Sequence, residues 1–484
     1  MASIKKNFLY SSVLTVSGYL FPLITFPYIT RVLGVNNIGI CNFVDSIIQY
    51  FILFSMMGMM TVGIREVAKT KGDKQLLSRT YSSLLTLNLL TTILAIVVLC
   101  ICTILVPQMR IHSQLFLIGA AKILSNTLLV EWLFTGLEDF RYITIRSIAI
   151  RLVYVILVFV FVRSANDYHI YFFLTTIVVV INAVINLLYS RKFVCFSLKN
   201  IEFKPYVKSL FILGLYLFLT SLYTTFNVAY LGFATNTTEV GYYTTATKLY
   251  TIIMSMFTAF TGVMMPRMSA LVADGEIDEF KRLTNKSIEA LLAFAFPLII
   301  IAELCAPQII RIIAGVGYEG SILPMRIVMP LMLIIGYEQI IILQMLTPLK
   351  KDSAILTNSI IGAGIALIMN FILVPKLASI GSSIVWACCE VAVLISAQCF
   401  VYRYIEFKFP IKAFAKRIIV TVPIVFIAFV VNNLISNVFV SLVCVAFITL
   451  ILWLAVEIII MKNDLLIQNV HLIISIVLRR LSRR

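Results

Sequence analysis

Long apolar runs separated by short polar loops occupy most of the chain. Windows of about nineteen residues detect fourteen such runs. They cover residues 8–29, 37–63, 81–106, 113–136, 142–162, 168–190, 208–233, 239–265, 287–313, 321–347, 354–374, 378–402, 413–432 and 437–460. Each run is much longer than the roughly ten alternating residues of a membrane β-strand. The pattern therefore predicts an all-α polytopic membrane protein with about 14 transmembrane helices.

The loops between the runs differ in charge from one side of the membrane to the other. If the N-terminus is cytoplasmic, the loops on that side, such as 64–80, 191–208 and 403–417, hold most of the 39 lysines and arginines. Cytoplasmic loops of membrane proteins carry such an excess, so both termini are predicted to be cytoplasmic. Basic loops facing anionic lipid also explain the net charge of +17 without a nucleic-acid partner.

The composition agrees with a membrane protein and offers no sign of an enzyme. Hydrophobic residues make up 61% of the chain and charged residues 13%, a balance that excludes a soluble globular protein. The chain has no phosphate-binding GxxxxGK[ST] loop, and GVGYEG at 315–320 lies in a predicted outer loop without a preceding strand. Its three histidines and nine cysteines match no metal or redox spacing. We predict no catalytic residues, no metal and no cofactor.

Two segments are predicted to lie on the membrane rather than across it. Residues 268–287 mix both signs of charge and indicate a short cytoplasmic helix. Residues 464–484 form an apolar stretch that ends in several arginines, a pattern typical of an interfacial helix.

A weak internal repeat suggests how the spans are grouped. Residues 38–50 align with 240–252, with Gly39 on Gly241, and residues 135–148 align with 347–360. Repeats of this kind are common in transporters, where two lobes enclose a central cavity. We therefore predict two six-helix lobes, a pair of additional helices and a basic interfacial helix. Their boundaries are 1–204, 205–402, 403–461 and 462–484.

Four predicted spans carry polar residues along one helical face. Span 1 has Ser11, Thr15, Gly18, Pro22 and Thr25; span 2 has Asn42, Asp45 and Gln49; span 7 has Tyr216, Thr220, Tyr223, Asn227 and Tyr230; span 8 has Thr244, Lys248, Thr251, Ser255, Thr258 and Gly262. Such faces also occur where helices pack against each other. A lysine in the middle of span 8 would be costly in a dry seam, so Lys248 favours a water-filled cavity between the lobes.

Charges inside the membrane are the candidate functional residues. They are Arg31, Asp45, Lys122, Glu131, Lys248, Glu303, Arg326, Glu338 and Glu390. Asp45 is expected to bind a coupling cation or to pair with Lys248 or Arg31. Glu131, Glu303 and Glu338 are candidates for carrying protons or sodium. For Glu303 and Glu338, ion pairs inside a lobe are the alternative. Arg31 follows two prolines, Pro22 and Pro27, which are expected to break the helix before it.

Several phrases resemble the Wzx-type polysaccharide flippases of the multidrug/oligosaccharidyl-lipid/polysaccharide exporter superfamily. They are PYITRVLGVNNIG (27–39), REVAKTKGD (65–73), EWLFTGLEDFRYITIRSI (131–148), VGYYTTATKL (240–249) and PRMSALVADG (266–275). The resemblance implies a bacterial inner-membrane carrier that moves undecaprenyl-diphosphate-linked oligosaccharide to the periplasmic leaflet for O-antigen, capsule or exopolysaccharide synthesis. It further implies that Arg31, Lys122 and Lys248 receive the diphosphate and sugar acids. A proton or sodium gradient and the polysaccharide polymerase machinery are the expected further partners.

Two other functions compete with this interpretation. A multidrug–cation antiporter of the same superfamily would need carboxylates and aromatic residues in its cavity, which Asp45 favours and Lys248 disfavours. A glycan ligase or polymerase also has many spans, but it would need a large periplasmic loop that this chain lacks.

Overall fold

The computed structural model describes residues 4–199, 201–463 and 467, and within these the chain is helical without any β-strand. The helices are α1 (Ile4–Met56), α2 (Met59–Thr70), α3 (Lys74–Leu105), α4 (Pro107–Ile111), α5 (Ser113–Leu128), α6 (Glu131–Gly136), α7 (Phe140–Phe161), α8 (Tyr168–Ser190), α9 (Lys204–Thr224), α10 (Phe226–Ala234), α11 (Thr237–Ala273), α12 (Ile277–Ile313), α13 (Ile322–Val328), α14 (Leu331–Gln339), α15 (Asp352–Ile405), α16 (Ile411–Leu434) and α17 (Val438–Ile459). Short 3-10 turns lie at Ala165–Asp167 and Glu319–Ser321, and a π-helix covers Ile340–Leu346.

The helices account for all the predicted apolar runs. Within the described residues, eleven helices are long and apolar enough to cross a membrane, or twelve if Glu319–Val328 and Leu331–Leu346, bent by 41°, form one span. Three of the eleven contain a residue with non-helical backbone angles: α1 at Gly34, α12 at Cys305 and α15 at Ala378. Of these three, α1 and α15 each cover two predicted spans. The all-α multi-pass fold is confirmed, and the count of fourteen spans stays a prediction.

The break in α1 lies at a glycine rather than at the prolines. Helical structure continues through Pro22 and Pro27, so the predicted break before Arg31 is wrong. Prolines are tolerated in membrane-spanning helices, where local adjustments and neighbouring groups satisfy the freed backbone. The chain departs from the helix at Gly34, with φ 75° and ψ 166°, a conformation that glycine adopts most readily. Arg31 is consequently a helical residue.

The two segments expected on the membrane surface have different outcomes. Residues 268–287 are not a separate helix, because α11 continues to Ala273 and α12 begins at Ile277. A turn at Gly275, with φ +78°, separates the two long helices. The prediction of a short surface helix there is wrong: the mixed charges belong to the ends of two spans. Apart from Ile467, the segment 464–484 lies outside the described residues.

The chain divides into two compact units. The first comprises Met1–Thr245, Ala314–Gly317 and Gly362–Trp386, and the second comprises the remaining segments. Within the first unit, Trp132, Leu133 and Phe134 of α6 are buried in a core with residues of α2 and α3. Within the second unit, Trp453 of α17 donates a hydrogen bond from Nε1 to the Ala293 carbonyl oxygen of α12 (3.0 Å) and stacks on Phe296. The lobe boundaries expected from the repeat stay a prediction.

Polar caps mark where some of the spanning helices begin. The Asp73 carboxylate accepts hydrogen bonds from the backbone N–H groups of Gln75 and Leu76 at the start of α3. The Asn437 side chain accepts from Phe439 and Val440 at the start of α17. Such caps satisfy donors that the first helical turn leaves unpaired, and they fix the ends of these two apolar helices.

Residues related by the repeat meet inside the first unit. The Asn42 side chain donates to the Thr244 hydroxyl (2.9 Å), and the Thr238 hydroxyl donates to Asn36 Oδ1 (3.4 Å). Both pairs are 202 positions apart, the offset that aligns Gly39 with Gly241. A symmetric contact brings equivalent residues together at its axis. The crossing of α1 and α11 therefore has the arrangement expected for two related helices.

Candidate functional site

A polar face on the second half of α1 forms the centre of the candidate site in the first unit. Asn42, Asp45 and Gln49 recur at helical spacing and therefore share this face. Asn42 and Asp45 are half-buried, whereas Gln49 is exposed. Thr244 of α11 contacts the face through its hydrogen bond with Asn42. The face thus runs from the hydrogen-bonded side chain of Asn42 to the exposed side chain of Gln49.

Asp45 forms an ion pair with Lys122 of α5. Lys122 is only 9% exposed, while the Asp45 side chain is 37% exposed. The close approach of α5 to α1 depends on Gly119, where an added Cβ would lie 2.5 Å from Ile48 Cδ1. Lys122 is a partner of Asp45 that the sequence analysis did not name; the expected pairing of Asp45 with Lys248 or Arg31 stays a prediction.

Glu131 also has an ion-pair partner within the first unit. It begins α6, and its carboxylate accepts a hydrogen bond from Arg146 Nη2 of α7 (2.6 Å). The same guanidinium group contacts Asn186 of α8, whose Oδ1 also accepts from the Tyr142 hydroxyl (2.9 Å). Arg146 is buried. This network joins three helices, and it pairs Glu131 with Arg146, a partner that the sequence analysis did not name.

The sequence analysis missed two arginines of α7, Arg146 and Arg151. Arg151 Nη1 donates to the Leu14 carbonyl oxygen (3.1 Å) and to the Ser17 hydroxyl (2.5 Å) of α1. Its guanidinium group lies beside Gly18, whose added Cβ would be 3.6 Å from Nη1. Both arginines lie within the predicted span 142–162, so a search for charges inside every span would have found them. They bring two more cations to the spanning helices of the first unit.

Arg31 lies apart from the Asp45–Lys122 pair. Its side chain is exposed, and its Cγ packs beside Gly315, where an added Cβ would be 3.0 Å away. Gly315 has φ +98°, a conformation that disfavours any side chain at this contact. The break at Gly34 lies between Arg31 and Asp45, so the two residues belong to different helical segments of α1. Arg31 is therefore not part of the polar face that holds Asp45.

Lys248 and the residues that follow it belong to the second unit. Lys248, Thr251 and Thr258 are exposed along α11, whereas Ser255 is buried. The Thr251 and Ser255 hydroxyls donate to carbonyl oxygens of their own helix, Thr247 O (2.8 Å) and Ile252 O (2.6 Å). The acceptor lone pairs of the exposed Thr251 hydroxyl stay available to solvent or to a ligand. The face of α11 that holds Lys248 is thus polar and accessible.

Asn227 does not line an open cavity. Its side chain is fully buried, with 0% exposure, and its Oδ1 accepts a hydrogen bond from Asn370 Nδ2 (2.7 Å). Its own amide donates to the Tyr243 hydroxyl (3.5 Å). These groups pair inside a helix seam of the first unit, and the contact of Asn227 with substrate stays a prediction. Tyr216 is half-buried on α9; the side chain of Tyr223 lies outside the part of the chain that the structure describes.

The remaining acidic candidates are in the second unit. Glu303 of α12 is half-buried, and its Oε1 atom has no hydrogen-bond partner. Arg326 of α13 donates from Nε to the Glu303 backbone oxygen (3.1 Å). Glu338 of α14 and Glu390 of α15 are both buried, with 8% and 4% exposure. Among the described residues, no group of three or more His, Cys, Asp or Glu side chains could hold a metal ion.

Comparison with known proteins gives a consistent result. The profile of the family described as "Polysaccharide biosynthesis protein" matches residues 4–272. The chain is 28% identical over 396 residues to a protein of Escherichia coli (strain K12) named "Putative O-antigen transporter", covering 79% of this chain and 92% of the relative. A protein of the same name from Shigella dysenteriae is 27% identical over 379 residues, covering 76% and 93%.

Solved structures share the fold. "Lipid II flippase MurJ, inward closed conformation" superposes with a TM-score of 0.81 at 14% identity, covering 94% of this chain and 99% of that one. A multidrug resistance MATE family transporter in an inward-facing conformation gives a TM-score of 0.58 at 13% identity, covering 83% and 96%. These likenesses confirm the predicted transporter-type membrane fold.

Proposed function

Because the chain belongs to the family described as Polysaccharide biosynthesis protein, we propose that it is a flippase for lipid-linked oligosaccharide. It moves an undecaprenyl-diphosphate-linked oligosaccharide from the cytoplasmic to the periplasmic leaflet of a bacterial inner membrane. The product serves O-antigen or related surface-polysaccharide synthesis, in agreement with the names of relatives that the chain matches over more than nine-tenths of their length.

The observation that carries this proposal is the presence of exposed cations on membrane-spanning helices. Arg31 on α1 and Lys248 on α11 are both exposed on helices long and apolar enough to span a bilayer. A charge in the middle of a span costs about 2.5–3.5 kcal/mol on insertion scales and usually marks a substrate pathway. A diphosphate needs such compensation while it crosses, and arginine and lysine both bind phosphate oxygens.

The proposal assigns different roles to the cations. Lys248 and Arg31, each within its own unit, contact the diphosphate or acidic sugars, with the polar hydroxyls of α11 beside Lys248. Lys122 is already paired with Asp45, so it contributes to substrate binding only if that pair opens. The polyprenyl chain stays in lipid, where burial of each CH₂ group is favourable by about 0.8 kcal/mol.

A multidrug antiporter is the weaker alternative. Asp45 was the one feature that favoured it, and that carboxylate is occupied by Lys122. Exposed cations would repel cationic drugs. We further propose that the chain is not an enzyme, that an ion gradient or consumption of the product drives transport, and that the polymerase machinery removes the product outside.

A complementation experiment tests the proposal. In a strain lacking the gene, we expect lipid-linked oligosaccharide to accumulate in the inner leaflet, and the native chain to restore surface polysaccharide. Arg31→Ala and Lys248→Ala each remove a charge-assisted contact worth about 1.5–3 kcal/mol, and should lower transport roughly 10- to 150-fold. Lys248→Arg should retain more activity than Lys248→Ala because it keeps the charge.

Matched controls distinguish the effect of losing a charge at the proposed site from the effect of losing an exposed charge elsewhere. Arg110→Ala and Lys408→Ala remove exposed cations outside the membrane-spanning helices and should leave complementation unchanged. Full activity of Arg31→Ala and Lys248→Ala would contradict the cationic pathway. Absence of inner-leaflet accumulation in the deletion strain would contradict the flippase itself.

A further inference from the structure

The linker between α8 and α9 is attached along the start of α3. Its described residues, 191–199 and 201–203, form neither helix nor strand. The hydroxyls of three serines of α3 accept hydrogen bonds from backbone N–H groups of this linker: Ser78 from Cys195 (3.1 Å), Ser82 from Ser197 (3.0 Å) and Ser83 from Glu202 (3.1 Å). The linker therefore has a fixed position on α3, although it has no regular structure of its own.

A cavity of about 650 Å³ lies between the linker and the first turns of α3. Three cations line it, Lys74 and Arg79 of α3 and Lys199 of the linker. The volume is within the range of pockets that hold small ligands. Lysine and arginine both bind phosphate and carboxylate oxygens, so the chemistry of the cavity suits an anion.

Two of these cations are not neutralised by a carboxylate. Arg79 pairs with Glu202. Lys74 and Lys199 are exposed and form no ion pair among the described residues. Asp73 also lines the cavity, but its carboxylate accepts two backbone N–H groups at the start of α3 (2.8 and 3.1 Å). The cavity thus presents two lysines that are available to a ligand.

Exposed apolar side chains adjoin the cations. Phe196 and Leu198 of the linker are 50% and 68% exposed, and Leu76 of α3 is 45% exposed. The helices that the linker contacts or joins, α3, α8 and α9, are long and apolar enough to span a membrane. Apolar side chains beside cations are typical of a segment at the membrane interface. A free anion would leave Phe196 and Leu198 in water, whereas a phospholipid offers a phosphate to the lysines and acyl chains to the apolar side chains.

We infer that this cavity binds the headgroup phosphate of an anionic phospholipid. Lys74 and Lys199 contact the phosphate, and Phe196 and Leu198 lie against the acyl chains. The bound lipid joins α3 to the linker, so it stabilises their packing in the way that any ligand of the folded state does. Both segments belong to loops predicted to be cytoplasmic, where anionic lipid attracts basic residues next to the membrane. The site does not depend on the proposed transport function.

Thiol modification of Cys195 tests the site. Cys195 lines the cavity and is exposed, so a lipid in the cavity shields its sulfur. The full-length chain, with the other eight of its nine cysteines replaced, is placed in nanodiscs of phosphatidylcholine with increasing amounts of phosphatidylglycerol. An uncharged maleimide then reports the reaction rate of Cys195. We expect this rate to fall as the fraction of phosphatidylglycerol rises.

Substitutions of the two lysines separate this site from general membrane charge. Lys74→Gln/Lys199→Gln should weaken phosphatidylglycerol binding roughly 25-fold, because each basic residue near an anionic surface contributes a factor of about five, and the slowing should be lost. Lys74→Arg/Lys199→Arg retains both charges and should retain the slowing. Lys408→Gln/Lys412→Gln removes two exposed lysines elsewhere and should respond like the native chain. A native-like rate in pure phosphatidylcholine confirms that each variant is folded around Cys195.

Four results would overturn the inference. Equal rates for the native chain with and without phosphatidylglycerol would exclude the lipid from the cavity. Slowing that persists in Lys74→Gln/Lys199→Gln would exclude these lysines as its ligands. Slowing that is lost in Lys408→Gln/Lys412→Gln would show an effect of overall charge. If inorganic phosphate in phosphatidylcholine nanodiscs slows the reaction as much as phosphatidylglycerol does, the ligand is a free anion and the lipid assignment fails.

Discussion

The crossing of α1 and α11 offers the sharpest mechanical test of the structure. A Cβ atom added at Gly39 would lie 1.6 Å from the Thr237 carbonyl oxygen and 2.9 Å from the Gly241 amide nitrogen. Because Thr237 contributes backbone rather than a flexible side chain, the clash cannot be relieved by a rotamer change. Ordinary contact begins near 3.4 Å, so Gly39→Ala requires the helices to separate by about 1.8 Å at this point.

The free-energy cost of this clash can be converted into a change in the fraction of molecules whose α1 and α11 are packed together. Overpacking of this kind costs about 1–3 kcal/mol, which corresponds to a roughly 5- to 150-fold change in an equilibrium. We therefore expect Gly39→Ala to lower the fraction of molecules with α1 and α11 packed together by this factor. The reduction should be visible as slower cross-linking across the contact.

The assay uses the pair Asn36 and Thr238, whose side chains touch at 3.4 Å. Both are replaced by cysteine in a background without the nine native cysteines, and a short bifunctional thiol reagent reports how often the helices are packed. Gly262→Ala is the matched control, because Gly262 lies on α11 and nothing lies within 4 Å of its added Cβ. Equal cross-linking rates for Gly39→Ala and the native protein would refute the reasoning.

Two further substitutions test pairs that the structure buries. Glu457→Gln should destabilise the second unit by about 3–5 kcal/mol, because the Arg417 guanidinium donates two hydrogen bonds to this fully buried carboxylate (2.8 and 3.1 Å). Thermal unfolding in detergent measures the loss of stability. An Arg417→Met/Glu457→Leu double variant should recover much of the lost stability. A double variant less stable than Glu457→Gln contradicts the argument. Asn227→Ala should cost about 1–3 kcal/mol, because the buried Asn370 amide loses one of its two acceptors and keeps only the Ala366 carbonyl oxygen, while substrate affinity stays unchanged. A selective loss of affinity at native stability would return Asn227 to the substrate pathway.

Much of the fold could be predicted because a lipid bilayer restricts which backbone structures can cross it. Every backbone polar group must be satisfied within the membrane, so each long apolar run becomes a helix, and the predicted runs coincide with helices in the described residues. The positions at which a helix breaks were harder to predict. Pro22 and Pro27 lie inside a continuous helix, whereas the break falls at Gly34, because a glycine with positive φ can redirect the chain at little steric cost.

Ion-pair partners could not be predicted from the sequence. Asp45 and Lys122 are separated by 77 positions, and their contact depends on the rotation of α1 and α5 about their axes. That rotation is set by packing details such as Gly119 against Ile48, which hydropathy does not record. The same limit applies to Arg146 and its partner Glu131. A count of the charged residues inside the spans identifies the candidates for ion pairs, but only the packing of the helices decides which of them form pairs.

Polar stripes alone do not distinguish a water-filled surface from a helix seam. Asn227 and Lys248 both lie on such stripes, yet Asn227 is fully buried and Lys248 is exposed. A neutral amide can be satisfied by one or two amide and hydroxyl neighbours, as Asn370 and Tyr243 do for Asn227. A lysine retains a full charge, which burial penalises far more than it does a dipole. Charge alone is no guide to the open face either, since Lys122 and Arg146 are buried. Charge together with exposure directs the search for substrate contacts to Lys248 and Arg31 before any of the neutral stripe residues.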